Sequence, residues 1–540
     1  MKYIRFILAQ AGVRGWRLLA SVTASAAAMV VMVAIVNSLT DLQPGMELDW
    51  QAFLLFALAA LTVVSLQVYA LNLAAQVGEA AVGRIRLRVA DLVRRGELAS
   101  LEQVGTIRVY DTVARDTTTI ADSAGSIILS LTAMVALAFA LIYVAVLSLV
   151  SFLVIGILLC AWGYFYGLNQ AKVRTALREA RDADTRFFAL LGHLLYGFKE
   201  VKLHRARGED LEKVHLARAS DDARHKNIVA AQQFSSTLRV GYTLFYALLG
   251  SAVFILPPHL DDVRTAMKIV FSMMFLFTTL DGITRMLPVL ARANLALDTV
   301  DALEASLLAA TGQAPSAPSD APARLDSLKL KDVVYAYAAE KGSTFTLGPC
   351  SLELQPGRMT FIVGGNGSGK STFARVLTRL YTPQRGTVFW NGAPVEDHNV
   401  DSYRGLFSAV YADFHLFDRL YGLADRDPAR VRGLLAEFGL DHRVGFADGA
   451  FSTTALSTGE RKRLAFVVAL LEDRPIYVLD ELSADQDPEF RRRYYQELLP
   501  ALRAQGKTLV VISHDERYFD IADEVLVMRD GQFQQRGKAS

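Results

Sequence analysis

Two cysteines in 540 residues leave no material for a disulfide framework. Cys160 sits in an apolar run and Cys350 about 190 residues later, a separation that is not that of metal ligands. Both read as inert packing residues. Net charge is scarce as well: 57 Lys and Arg stand against 55 Asp and Glu, too even a balance for a whole-protein polyanion binder, which removes nucleic acid as an expected partner. Charged residues make up 21% of the chain and hydrophobic residues 52%. With a mean hydropathy of +0.26, this excludes disorder, a collagen repeat and an average soluble protein. Part of the chain belongs in lipid.

Trp16 to Leu39 is almost continuously apolar, and at ~1.5 Å per residue it makes a helix long enough for a hydrocarbon core of about 30 Å. Similar runs occur at Trp50 to Ala74, Ile127 to Leu168, Val240 to Leu256 and Ala266 to Leu290. Ile127 to Leu168 is long enough for two spans with a tight turn near Ser148, so six spans are expected. Lys2, Arg5, Arg14 and Arg17 mark the N-terminus as cytoplasmic, whereas Asp41 to Asp49 has acids and no Lys or Arg. The arginine-rich segments 75–124 and 169–237 belong inside and 257–265 outside, which leaves both chain ends in the cytoplasm. The two inside segments lack the Gly, Ser and Pro content of floppy loops and read as helices reaching out of the membrane. The first apolar run exceeds a signal-peptide core, so no cleavage is expected.

Small residues and prolines fill 311–323, which reads as a linker between a membrane domain at 1–310 and a soluble domain at 324–540. Beyond it, β-rich runs at Met359 to Val363, Ile476 to Leu479 and Thr508 to Ile512 alternate with helical patterns. The fold class is therefore a membrane α-helical domain of six spans followed by an α/β P-loop domain with a mainly parallel sheet.

Gly364-Gly365-Asn366-Gly367-Ser368-Gly369-Lys370-Ser371 follows the first of these strands and opens a helix, the required context of a phosphate-binding loop. Its glycines let backbone N–H groups face phosphate oxygens, Lys370 supplies a point charge, and the Ser371 hydroxyl suits magnesium. The strand Ile476 to Leu479 delivers Asp480 and Glu481 at its C-terminal end, where ligands of open α/β sheets gather. Asp480 is expected to hold magnesium through water and Glu481 to polarise an attacking water. Ser457 and Glu460, in Leu456-Ser457-Thr458-Gly459-Glu460, have the spacing of a helix capping box.

The phosphate loop, the acidic pair and the Leu456–Glu460 segment together resemble the ATP-binding-cassette family, and six spans before one cassette is the half-transporter layout of its exporter type. The resemblance implies ATP and Mg²⁺ as ligands, with Thr372 joining the loop residues on ATP. It implies a homodimer in which Ser457, Thr458, Gly459 and Glu460 of one copy meet the ATP held by the other. Tyr337 matches the adenine-stacking aromatic, His514 the switch histidine at the terminal phosphate, and Asp487 the acid of the loop that crosses the dimer interface. Two positions depart from the pattern. Ala412 stands where a magnesium-contacting glutamine is usual, leaving Asp413 as either a substitute metal contact or a surface acid, and Glu460 replaces the commoner glutamine.

Ser408 to Leu420, Arg461 to Ala465 and Gly197 to Leu203 look like the bacterial cyclic-peptide exporter branch, with its pyoverdine-type siderophore and microcin-type lasso-peptide exporters. The resemblance implies a multi-pass protein of the bacterial inner membrane, in contact with lipid, that exports a peptide or peptide siderophore. A lipid flippase, a multidrug exporter or a siderophore importer on the same scaffold are the alternatives. Residues 106–116 and 197–203 are the segments expected to meet the cassettes. Asp281 and Arg285, one helical turn apart in the last apolar run, are expected either to neutralise one another or to contact cargo. Trp162, Tyr164, Phe165 and Tyr166 read as an interfacial belt.

Overall fold

The change from long apolar runs to short β-rich ones divides the chain into two units, one of Met1–Asp91 with Ile107–Ala305 and one of Leu92–Thr106 with Ser306–Ser540. The computed structural model describes residues 2–12, 14–38, 50–250, 253–254, 263–309, 324–337, 345–423 and 425–537. The expected linker at 311–323 lies outside them. The segment Leu92–Thr106 groups with the C-terminal unit.

The first unit is helical: α1 (Lys2–Ala11), α2 (Arg14–Ser38), α3 (Trp50–Arg95), then, past α4 (Leu98–Val104) of the second unit, α5 (Thr106–Asp111), α6 (Thr117–Leu147), α7 (Leu149–Tyr196), α8 (Phe198–Leu203), α9 (Arg205–Asp210), α10 (Ala217–Gly250) and α11 (Val263–Ala309). Among the described residues five helical stretches are long and apolar enough to cross a membrane, in place of the six expected. They are Gly15–Ser38, Trp50–Arg95, Thr106–Leu147, Leu149–Tyr196 and Met267–Ala309. The remaining expected run, Val240 to Leu256, forms the polar-led end of α10 and continues into residues outside the described set. At 46 and 48 residues, α3 and α7 are each about 70 Å long, more than twice a hydrocarbon core, so each carries a stretch beyond it.

The turn expected near Ser148 is there. Ser148 leaves the helical region at φ −161° and ψ 116°, and its side chain accepts from the Ser151 N–H to start α7. Just ahead of α6, buried Asp116 accepts two hydrogen bonds from Arg181 of α7 at 2.8 and 2.9 Å. Asp281 and Arg285 form an ion pair at 2.7 Å, and the Tyr242 hydroxyl donates to the same carboxylate at 3.0 Å, which neutralises the charge within α10 and α11. Trp162 stacks on Tyr166 at 5.7 Å, while Tyr164 and Phe165 are exposed.

The second unit continues with β1 (Leu328–Ala336), β2 (Thr346–Leu354), β3 (Met359–Val363), α12 (Lys370–Leu377), β4 (Arg385–Trp390), β5 (Ala393–Pro394), α13 (Val400–Arg404), β6 (Phe407–Val410), α14 (Pro428–Glu437), β7 (Phe446–Ala447), β8 (Ala450–Phe451), α15 (Thr458–Glu472), β9 (Ile476–Asp480), α16 (Pro488–Arg493), α17 (Leu499–Ala504), β10 (Thr508–Ile512), β11 (Glu524–Arg529) and β12 (Gln532–Gly537). Six strands form one sheet in the order β12-β11-β3-β10-β9-β6, parallel except for β12. Every residue of β3, β9 and β10 is buried, as expected for strands covered on both faces. A second, antiparallel sheet, β2-β1-β4-β5, was not expected from the sequence. The order β3-β10-β9 brings three strand ends side by side, and the chemistry lies on them.

Helix α4 docks on the sheet domain. Leu98 and Ala99 pack on the core cluster that includes Phe373, Tyr381 and Tyr403. At its N-terminal end Glu97 accepts from Arg404 of α13 at 3.0 and 3.1 Å, and Glu102 accepts from the Tyr381 hydroxyl at 2.8 Å. The Glu97–Arg404 pair is only 28% exposed on either side, so its charges are poorly screened. Glu97→Ala is expected to weaken this docking by about 1–2 kcal/mol. Hydrogen-exchange protection of residues 98–104 should fall roughly tenfold while β3, β9 and β10 keep theirs; unchanged protection would mean the apolar contacts suffice.

Candidate nucleotide site

The loop from Gly364 to Gly369 closes over the end of β3 in a shape that only glycine permits at its key point. Gly364 has φ +152°, and a Cβ there would stand 2.2 Å from the Met528 carbonyl oxygen. The loop hands over to α12, which starts at Lys370. Lys370 Nζ donates to the carbonyls of Gly364 and Gly365 at 2.9 and 3.0 Å. Burial pulls its pKa down, against the opposing charges of Glu481 and Asp480. The Ser368 hydroxyl is buried and has no partner. Gly365, Asn366, Gly367, Ser371 and Thr372 complete the loop and the first turn of α12.

At the end of β9, Asp480 is 1% exposed and neither of its oxygens makes a hydrogen bond. Burial pushes its pKa up; the Ser371 hydroxyl and the Ala412 N–H pull the other way but stop short of hydrogen-bond geometry. An orphaned carboxylate beside a serine hydroxyl, under a phosphate loop, fits a hard divalent cation that takes oxygen ligands. Among the described residues no group of three or more His, Cys, Asp or Glu forms a self-sufficient metal cage, so the rest of any coordination shell falls to phosphate and water.

Glu481 follows with φ +52°, a left-handed backbone unusual for a side chain of its length. Its N–H donates to the Ile512 carbonyl at 3.1 Å and its Oε1 meets His514 Nε2 at 3.1 Å. The sequence spaces these two residues 33 positions apart, and neighbouring strands bring them into contact. Tyr337 sits near the loop helix: its hydroxyl lies 3.2 Å from Thr372 Oγ1, and its ring packs edge-on against Tyr335 and Tyr381. Asp413 points elsewhere from Asp480. Its carboxylate takes a 2.7 Å hydrogen bond from Arg375 and is largely exposed, so in this state it is an arginine partner.

The capping box expected at Ser457 forms. The Ser457 side chain accepts from the Glu460 N–H at 3.4 Å, and Glu460 Oε2 accepts from the Ser457 N–H at 2.9 Å and from its hydroxyl at 2.6 Å. These bonds hold the Glu460 carboxyl below the usual carboxylate range. Thr458 and Gly459 open α15, and a Cβ on Gly459 would stand 2.8 Å from the Asp485 carbonyl oxygen. Asp487 caps α16 by accepting from the Phe490 N–H at 2.8 Å, which pulls its pKa down, and it pairs with Arg463. Thus the loop residues, Asp480, Glu481 and His514 gather on three adjoining strand ends, while Ser457 to Glu460 and Asp487 form a separate group on α15 and α16. Sequence reading missed Arg375 and Lys462. Each is a cation on the buried side of a helix that carries a motif, which is the signal that marks them out.

Because Asp480 is a buried charge with no partner, Asp480→Asn is expected to stabilise the nucleotide-free chain by about 1–2 kcal/mol. Thermal unfolding without nucleotide or metal should show a higher midpoint. A lower one would show that the protein already compensates the charge.

The family model described as ABC transporter matches residues 347–484. Over 405 residues, 73% of this chain and 72% of the relative, the sequence is 35% identical to the ATP-binding protein SyrD of Pseudomonas syringae pv. syringae. It is 27% identical over 462 residues to an ATP-dependent lipid A-core flippase of Haemophilus ducreyi, covering 80% of this chain and 76% of that protein. A solved bacterial Atm1-family ABC exporter with ATP bound shares the fold, with a TM-score of 0.80 at 19% identity over 98% of this chain and 96% of that one. The phosphate loop, the strand-end acids and the capped segment at Ser457 are thus set in a fold shared almost end to end, and the chain belongs to the ABC transporter family as a half-transporter of the exporter type, its ATPase domain hydrolysing ATP to drive transport.

Proposed function

We propose that two copies of this chain form a homodimer in a bacterial inner membrane and export a peptide-type cargo, a cyclic or lasso peptide or a peptide siderophore. Half-transporters of the exporter type work as dimers, and the arrangement of the candidate residues supports an identical partner. The loop residues and the Ser457 group lie on different parts of one ATPase unit, so each nucleotide needs the loop of one copy and Ser457 to Glu460 of the other. Lys370 leaves the Gly364 and Gly365 carbonyls for the terminal phosphates, and Tyr337 stacks on the adenine. Asp480 and Ser371 hold Mg²⁺, which when bound neutralises phosphate charge. Glu481 orients the attacking water, and His514, already at hydrogen-bonding distance from it, contacts the terminal phosphate.

The observation that carries the cargo reading is a cavity of about 950 Å³ in the helical unit, between α1, α7, α10 and α11. Arg174, Arg178, Arg292, Gln170, Asn294 and Tyr166 are on its wall, together with Asp116, Asp184 and Asp298, so the lining carries acceptors as well as donors. Such a lining offers many donors to the carbonyls and carboxylates of a peptide, at a size suited to a bulky ligand. A second reading, a lipid flippase, is favoured by a separate cavity of about 520 Å³ walled by apolar side chains such as Met29, Met32, Phe56 and Phe271, and by the relatives named as lipid A-core flippases.

Glu481→Gln is expected to leave ATP binding intact and to lower hydrolysis by about 10²–10³-fold, read as phosphate release; undiminished release removes the role given to Glu481. The dimer is tested by mixing a Lys370→Ala chain with a Ser457→Arg chain. Each alone has two damaged sites, whereas the mixed dimer has one whole site and should retain ATP that neither parent retains. In vesicles with the ATPase domains outward, ATP-dependent uptake of cyclic peptides or siderophores supports the cargo reading, and flipping of labelled lipid alone replaces it.

A further inference from the structure

The ammonium of Lys462, in the first turns of α15, is enclosed by backbone that belongs to the neighbouring catalytic loop. Its side chain is 8% exposed. It donates to the Glu481 carbonyl at 3.0 Å, the Ala484 carbonyl at 3.1 Å and the Asp485 carboxylate at 3.1 Å, so each of its three protons has one acceptor. Two of the residues it grips are left-handed: Glu481 at φ +52° and Asp485 at φ +63°. Such backbone persists only where the surroundings over-determine it. Glu481 is therefore held at three points, with Ile512 on its N–H, His514 on its carboxylate and Lys462 on its carbonyl.

The grip comes from the helix that begins at Ser457. Other bonds from the same turns fasten the same loop: Gln486 Nε2 donates to the Gly459 carbonyl at 3.0 Å, and Arg463 Nε donates to Gln486 Oε1 at 2.9 Å. Gly459 lies so close to the Asp485 carbonyl that no side chain fits between them. The first turns of α15 and the loop 481–487 thus move as one piece, and Lys462 is the contact that reaches Glu481 itself.

We propose that Lys462 is a positioning residue for ATP hydrolysis. By closing the left-handed turn at Glu481 from below, it aims that carboxylate at the attacking water and ties its aim to the seating of the Ser457 segment. Lys462 touches no phosphate; it acts through Glu481, and the inference rests on the role proposed above for that residue. A backbone released at the carbonyl relaxes out of the left-handed region and swings the carboxylate away, while the phosphate loop, on α12, is untouched.

The test uses the full chain in nanodiscs. Lys462→Met keeps the length of the stem and removes all three donors, and Lys462→Gln keeps two N–H donors on a shorter stem. Lys462→Met is expected to lower kcat for ATP hydrolysis 10- to 100-fold with KM and nucleotide affinity within threefold of the parent, and Lys462→Gln to fall between. In a Glu481→Gln background, Lys462→Met should cause no further loss, because the group it positions is already gone. A parental kcat in both Lys462 variants overturns the proposal. So does a loss of kcat and affinity together in Lys462→Gln with a lowered thermal midpoint, which marks a packing role, or a full additive loss on top of Glu481→Gln. If Glu481→Gln alone hydrolyses ATP at the parental rate, it is the role of Glu481 that fails, an outcome distinct from failure at Lys462.

Discussion

A carboxylate buried at a strand end without any protein partner is the constraint around which the ATPase unit is organised. Asp480 is covered by the sheet and its flanking segments, and no hydrogen bond compensates it. A charge in that state is costly unless a proton or a cation completes it. The same logic governs its neighbours. Lys370 donates to two loop carbonyls, and the Ser368 hydroxyl is left unpaired under the loop. Stability is given up locally at these three groups, and the fully buried strands β3, β9 and β10 supply the rigidity that holds them in place.

The Ser457 segment shows the opposite economy, since the polar groups of Ser457 and Glu460 satisfy one another. The Ser457 hydroxyl donates to Glu460 at 2.6 Å, a bond to an ionised acceptor and stronger than one to a neutral amide. In the homodimer proposed above, Ser457 gives up that bond to donate to the partner's phosphate and brings the phosphate near a carboxylate. Arg443, 3.4 Å from Glu460, offsets part of that repulsion. A glutamine at this position carries no charge to be offset.

The parts of this structure that were legible in the sequence are those decided within one element and its caps. The phosphate loop is a strand, a glycine-rich turn and a helix in immediate succession; Ser148 breaks two apolar helices by its own side chain; Ser457 and Glu460 meet because they stand three residues apart. What pairing over distance decides was not legible. The antiparallel sheet is built from β1, β2 and β4, whose strands gain their meaning only from one another. The contact of His514 with Glu481 follows from the order β3-β10-β9, which no local pattern encodes. The grouping of 92–106 with the ATPase unit was not legible either, because the contacts that hold it run from Glu97 to Arg404 across 307 positions of sequence. Lys462 was in view as part of a family-like segment, but its role depends on the left-handed turn at Glu481, a tertiary feature.

The missing glutamine after β6 has a physical consequence that the same network answers. Ala412 has no side chain with which to report on a metal, and Asp413 beside it is bound to Arg375. Arg375 belongs to α12, the helix whose first residue is Lys370, and its guanidinium lies 5.6 Å from the centre of the Tyr381 ring. The Tyr381 hydroxyl in turn donates to Glu102 of α4 at 2.8 Å. A chain of polar and cation–π contacts therefore runs from the phosphate-loop helix to α4 within the ATPase unit, with Asp413 as a charge at its α12 end. Tyr381 is buried at the centre of this chain, while Asp413 and Glu102 at its ends are exposed. With alanine at 412, the loop after β6 is fastened to α12 through Asp413 and Arg375, and α12 is in turn joined to α4 through Tyr381.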